Sequence, residues 1–412
     1  MGLRKSLVVV AALATAALVQ APAQGQERGV TVFHGATVIV GDGRPPIENA
    51  SLVVEGARLL QVGPSAQVRA PVGARRVDLA GKTVMPMLID AHVHTSATAE
   101  ALTEDLKRRP TWGVSTVMSM GTDPFTVLPM RARAIPGAAR YFSAGRGITR
   151  PEPGRTTVPF WINTEADARA AVNELAGQKV DLVKVWVDDR GGMFPKVTPP
   201  LYTAVIDEAH KHQLRVSAHI FTLEDGKGLL RAGLDALAHG VRDRDVDDEF
   251  LAMVRARPNL VLNPNLPARG VRTDLSWLAG GLPAAELQRL EAENTDRPAA
   301  VQEPYLLQAR NLAKMSAAGV KVVLGTDGNT PWQAHVEMED MVLAGMTPMQ
   351  VIVASTRNGA EFLRIADAGT LEAGKSADFI VLDANPLADI KNTRRMSAVY
   401  LRGEAIKPAN AR

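Results

Sequence analysis

The sequence predicts an α/β protein: a closed (β/α)8 TIM barrel with a small β-sandwich domain built from both chain termini. Three features predict it. Between residues 83 and 365, short apolar runs alternate with amphipathic helical stretches, the pattern of a parallel sheet with helical crossovers. Short Val- and Leu-rich runs, separated by Gly, Pro and Asn, stand on both sides of that segment. His, Lys and Asp residues recur at the C-terminal ends of the predicted strands, where barrels carry their chemistry.

At the N-terminal side, strands are predicted at Val30 to Val40, Ser51 to Glu55, Arg58 to Val62 and Arg76 to Leu79, and at the C-terminal side at Asp378 to Leu382, Ala398 to Arg402 and Glu404 to Ile406. Neither set makes a convincing core alone, so residues 28–82 and 366–407 are expected to form one composite domain. The barrel, residues 83–365, takes its strands from Val84 to Ile89, Ser115 to Met118, Arg140 to Ser143, Asp181 to Val187, Arg215 to Ala218, Ala236 to Ala238, Leu260 to Asn263 and Lys321 to Gly325. Long connections follow the fourth strand (Asp188 to Thr198) and the seventh (Pro264 to Pro283), and loops of that length in a compact domain are often functional.

Residues 1–23 read as a cleaved secretory signal: Arg4 and Lys5, an apolar run from Leu7 to Val19, then Ala21-Pro22-Ala23 as a small-residue cleavage site. The mature chain is therefore expected to be periplasmic or secreted. No later stretch approaches the ~18 uninterrupted apolar residues of a membrane span. The absence of cysteine excludes thiol nucleophiles, disulfides, thiolate metal sites and a lipidated cysteine anchor, so any metal must be held by nitrogen and oxygen. The formal charge of +3 falls to +1 without Arg4 and Lys5, which leaves no general cationic field for nucleic acid. Homo-oligomerisation is left open.

His92 and His94 end a short apolar run, and in a strand residues two apart project to the same face, presenting two imidazoles together. His210 and His212 share that spacing but end a segment of helical periodicity, where i and i+2 do not face each other. They are read as solvated. His219, His239 and Asp327 end the fifth, sixth and eighth strands. Lys184 interrupts the otherwise apolar run Val180 to Val187, and alternation puts it with Leu182 and Trp186 on the face opposite Val183 and Val185. Pointed into the barrel it would lose its proton and become nucleophilic; the alternative is an amine that reaches solvent along its own stem. Each histidine alone is more often structural than a ligand, but four of the eight, with one aspartate, fall on one rim. Imidazole and carboxylate donors without thiolate suit zinc, with manganese, cobalt, nickel or iron as alternatives.

These residues resemble the amidohydrolase superfamily, in the metal-dependent hydrolase branch of prolidase-like and imidazolonepropionase-like proteins. The resemblance is carried by Leu88-Ile89-Asp90-Ala91-His92-Val93-His94, by Gly325-Thr326-Asp327, by Ala344 to Pro348 and by Gly369 to Asp378. It implies two divalent metal ions, one held by His92, His94 and Asp327 and the other by His219 and His239, bridged by a carboxylated Lys184, with Asp327 as general base and acid. Two departures stand out. Met87 occupies a position where family members commonly have Gly, and no glutamate follows His219 closely, which disfavours deamination.

The reading is an exported amidohydrolase cleaving an amide or peptide C–N bond of a small molecule: a dipeptide, an N-acyl amino acid or a xenobiotic amide. The same site would serve carbamate, ester or lactone, or phosphotriester hydrolysis, and the rival from another class is a non-catalytic metal-binding barrel. Trp186, Phe194, Phe221 and Trp332 lie at or past strand ends and are candidates for apolar pocket walls, or for core. His335 would bind a substrate carboxylate or oxyanion, or begin the next helix. Arg190 and Arg269 are candidate carboxylate anchors, although most surface arginines are solvated.

Overall fold

The apolar run before His92 is split between two sheets. In the computed structural model, which describes Gly2 and residues 29–410, Thr83–Pro86 pairs antiparallel with Phe379–Leu382 in the terminal sheet, and Leu88–Val93 begins the parallel set. The single strand expected from Val84 to Ile89 is thus corrected. Pro86 has no N–H to donate, Met87 N–H donates to Asp378 O at 3.1 Å, and Leu88 N–H donates to Gly113 O at 2.8 Å, so the chain changes partners across one residue. Apart from Gly2, the expected signal lies outside the described residues.

The parallel strands follow chain order. Leu88–Val93, Val114–Ser119 and Arg140–Ser143 form a three-stranded sheet. Val183–Val187, Val216–Ile220, Ala236–Ala238, Val261–Asn263 and Lys321–Val322 form a second, joined at its edge by the short strands Ile148–Thr149 and Phe160–Trp161, which carry too few residues to show a period. Hydrogen bonds link the two sheets on both sides: Asp181 N–H to Ser143 O at 3.0 Å, and Ala91 N–H to Leu324 O at 2.8 Å. Leu182 packs with Ile89, Ala91, Met118, Ala236 and Val323 in one cluster, while Val183, Val185 and Val187 lie in another with helix residues such as Leu201 and Val205. This is the two-sided burial of a parallel sheet, and it gives Lys184 the same face as Leu182.

Helix starts fix where the strand-end loops stop. The helix Leu223–Arg231 begins four residues after His219, and Thr222 caps it by accepting from Asp225 N–H at 3.1 Å. Asp247 caps Asp248–Arg255 in the same way, accepting from Phe250 N–H at 2.9 Å.

The termini share one sheet. Its strands run in the order Glu404–Ile406, Met396–Leu401, Phe379–Leu382, Thr83–Pro86, Val30–Val38, Ile47–Glu55 and Arg58–Pro64, with Arg75–Asp78 also on Val30–Val38. The pair of stacked sheets expected of a sandwich takes the form of one hydrogen-bonded sheet bent over its own side chains. Irregular register between His34 and Val38, with Gly35 at φ +85°, lets one half of Val30–Val38 pair with Arg75–Asp78 and the other with Thr83–Pro86. Across the bend Phe33 meets Phe379 and Tyr400 with ring centroids 5.1 and 4.8 Å apart. Among the described residues no helix is long and apolar enough to cross a membrane.

Candidate metal centre and active site

His92, on the last turn of pleat in Leu88–Val93, is fully buried, and His94 lies just beyond the strand. Asp327 reaches both: its Oδ1 is 3.2 Å from Nε2 of His92 and 3.0 Å from Nε2 of His94. The donor atoms of these three residues all lie within 4.8 Å of one another. His239 stands on the other side, Nε2 to Asp327 Oδ2 at 3.6 Å, and its ring lies 4.6 Å from that of His219 and 5.1 Å from that of His92. Asp327 and His239 both hold positive φ, +54° and +116°, which is strained backbone for residues with a Cβ and is a common mark of functional sites. The strain at Asp327 is held by its N–H donating to His92 O at 2.8 Å. Below it, buried Asp90 accepts from Thr326 Oγ1 at 2.8 Å, and the Arg109 guanidinium lies 3.6 Å from Asp90.

Lys184 points into this group and is fully buried, with no hydrogen-bond partner for Nζ. Burial brings its ammonium down to about 7, against the pull of the Asp327 charge. Burial likewise pushes His92 and His219 down to about 3, helped by the Lys184 charge, and lowers His239 well below the usual imidazole range. The imidazoles are therefore neutral at pH 7, with lone pairs to donate. Burial alone would raise Asp327, but the surrounding histidines overcome it and hold the carboxyl far below the usual range.

Asp188, in the loop after the fourth strand, was not expected from the sequence. Its Oδ2 lies 2.9 Å from Nε2 of His219 and 2.8 Å from Nη1 of Arg190, and Arg190 in turn reaches the buried Glu152 at 3.2 Å. A carboxylate accepts only, so Nε2 of His219 carries the proton and Nδ1 keeps its lone pair. Thr122 holds His94 in the same manner, 3.0 Å from Nδ1. Arg242, three residues past His239, also lies within the field of Lys184 and Asp327. Only the position of Asp188 beside Arg190, just past a strand, signals it along the chain.

The pocket candidates divide. Trp186 is buried, its ring centroid 5.5 Å from Lys184 Nζ, and it fills the space that the absent side chain of Gly147 leaves. Phe221 is exposed to 43%. Trp332 is buried and, with Arg269 and Thr326, lines a cavity of about 460 Å³ under the loop after the seventh strand. Phe194 is half-buried. Of the two readings of His335, the geometry favours the helix over the substrate contact: it lies buried in the first turn of Gln333–Leu343, its ring nitrogens 3.0 Å from Thr393 Oγ1 and 3.0 Å from Trp112 O. Arg269 is committed to Glu339 and Asp340 at 3.0 and 2.8 Å. His210 and His212 sit on the surface, bonded to Asp235 and Asn173.

The donors fit divalent metal. Nδ1 of His92, Nδ1 of His239 and Nζ of Lys184 are buried without a hydrogen-bond partner, a costly arrangement that a bound cation or a modified lysine would relieve. Neutral imidazole, carboxylate and amine, without thiolate, make a nitrogen and oxygen set.

Residues 83–406 match the model of the amidohydrolase family. An imidazolonepropionase of Streptomyces griseus is 26% identical over 415 residues, covering 91% of this chain and 98% of that protein. The crystal structure of a candidate prolidase from Bifidobacterium longum superposes with a TM-score of 0.77 at 27% identity, covering 94% of this chain and 97% of that one. Phenylurea hydrolase B shares the fold, with a TM-score of 0.75 at 24% identity over 93% of this chain and 98% of that one. The chain belongs to the amidohydrolase family, in its branch of prolidase-like and imidazolonepropionase-like proteins, and is a hydrolase of carbon–nitrogen bonds.

Proposed function

We propose that this chain is an exported hydrolase cleaving the amide or peptide C–N bond of a small molecule (a dipeptide, an N-acyl amino acid or a xenobiotic amide) at a centre for two divalent ions. In this reading the eight parallel strands close into a barrel over residues 83–365, supported by the hydrogen bonds that join the two parallel sheets on both sides, and residues 28–82 and 366–407 form the companion domain. Export rests on the sequence of residues 1–23. The observation that carries the function is the convergence of His92, His94 and Asp327, with Lys184 buried and unpartnered beside them.

His92, His94 and Asp327 would hold one ion, His219 and His239 the other, and Lys184 would bridge them as a carbamate. For that, deprotonated Nζ adds to carbon dioxide and releases a proton, a reaction favoured by the buried amine's low basicity. Zinc suits the set best. Such ions lower the pKa of water to about 7 and polarise a carbonyl. Asp327, whose side chain is 38% exposed, is reachable from the mouth; its carboxylate takes the proton of the attacking water and returns it to the leaving nitrogen. Asp188 and Thr122 keep His219 and His94 in the orientation their donor atoms require.

Zinc- or manganese-loaded protein, with metal counted per chain, should hydrolyse members of a panel of N-acyl amino acids and dipeptides. Asp327→Asn should lower turnover by about 10²–10⁴-fold with an unchanged circular dichroism spectrum. Metal-loaded protein that leaves every amide, ester, lactone and phosphotriester untouched would overturn the reading in favour of a non-catalytic metal-binding protein.

A further inference from the structure

We propose that Arg242 anchors a carboxylate of the substrate, so that the hydrolase takes negatively charged amides in preference to neutral ones; this rests on the function proposed above. Arg242 stands three residues past His239, and its backbone N–H donates to Phe221 O at 2.8 Å, which ties it to the loop after His219. Its guanidinium lies close enough to Asp327, Asp188 and Lys184 for their charges to act on one another, which sets it beside the histidines.

The side chain lacks a partner. Nε is buried with no hydrogen bond, and among the described residues no carboxylate lies within 4.0 Å of the guanidinium. The carboxylates whose charge reaches it are Asp327 and Asp188. Both are committed elsewhere, Asp327 to His94 at 3.0 Å and Asp188 to His219 and Arg190 at 2.9 and 2.8 Å. Arg190 adds like charge beside it. A partly buried, unpaired cation is costly, and a planar guanidinium matches a carboxylate with two parallel hydrogen bonds. The other two arginines considered for this role already have counter-ions: Arg190 holds Asp188 and Glu152, and Arg269 holds Glu339 and Asp340. Arg242 is the one whose charge remains to be met from outside.

Calorimetric titration of the chelator-treated full chain with N-acetyl-L-phenylalanine and with N-acetyl-L-phenylalaninamide tests this without bound metal. The acid should bind about 10-fold or more tightly than the amide, in keeping with a charge-assisted pair. Arg242→Met should abolish that difference, and Arg242→Lys should restore part of it. Succinanilic acid, with its carboxylate on the acyl side, tells which end of the substrate the arginine holds. In metal-loaded protein, Arg242→Met should raise KM for acids while kcat and the metal count hold. Equal binding of acid and amide by the unaltered protein, equal losses for both in Arg242→Met, or loss of metal from that variant would each overturn the proposal. Amide hydrolysis without preference for acids would sink the anchor and leave the hydrolase standing; acid binding that depends on Arg242, with no panel member cleaved, would do the reverse.

Discussion

Oδ2 of Asp188 lies 2.9 Å from Nε2 of His219, and that contact leaves Nδ1 as the ring nitrogen with a free lone pair. Asp188→Asn keeps the shape but removes the charge and allows an amide N–H to face the ring. Affinity for zinc should fall about 10–100-fold, as for other partners that orient a ligating histidine. Competition with a chromophoric chelator measures it, and an unchanged affinity would place Asp188 outside the centre.

Lys184→Met removes a buried amine that has no partner and puts an apolar chain of similar length in its place. Metal-free protein should be as stable as the parent or more stable by on the order of 1 kcal/mol, because no charge or lone donor is left in the interior. Metal bound per chain should drop at the same time. Urea unfolding of chelator-treated protein and elemental analysis read the two effects separately; full metal occupancy in the variant would remove Lys184 from the ligand set.

Burial pushes the Asp340 carboxyl up from 3.8 to about 7, although Arg269 Nε lies 2.8 Å away. The folded state then keeps a proton that the unfolded chain releases. This contribution to stability is complete below about pH 4 and is lost as pH rises through about 7. Unfolding free energy of metal-free protein should therefore decline from about pH 4 to about pH 7, and Asp340→Asn should flatten the decline by on the order of 1–4 kcal/mol. Glu337, raised in the same direction by burial and by Asp340, should leave a residual slope. A parallel pH profile in the variant would count against the buried proton.

His335→Ala should cost about 2–4 kcal/mol of stability, from the void and the unmet groups of Thr393 and Trp112, and leave kcat/KM within about 3-fold. A higher KM with unchanged stability would return His335 to substrate binding.

The strand positions and the pairing of His92 with His94 were legible because alternation and apolar runs are local properties of the chain. The same rule separated His92 and His94 from His210 and His212, identical in spacing but at the end of a helix that closes at Lys211, with His212 as its C-cap. His335 was not legible. A histidine soon after a strand end looks the same whether its ring meets a ligand or, as here, a backbone carbonyl 223 residues away. The break at Met87 escaped for a related reason: the run is apolar on both sides of it, and only the neighbours of Pro86 and Leu88 show that two sheets share it.

By itself, the sequence determined the parallel α/β arrangement, the contribution of both termini to one further sheet, and the residue types available to a nitrogen and oxygen metal centre, since each follows from local period and composition. Tertiary structure alone decided that Asp327 meets His94 across 233 residues, that Asp188 orients His219, that Arg269 is spent on Glu339 and Asp340, and that Arg242 is left without a counter-ion. Pairing between charges depends on distances of a few ångströms between segments far apart along the chain, and no periodicity within either segment carries that information.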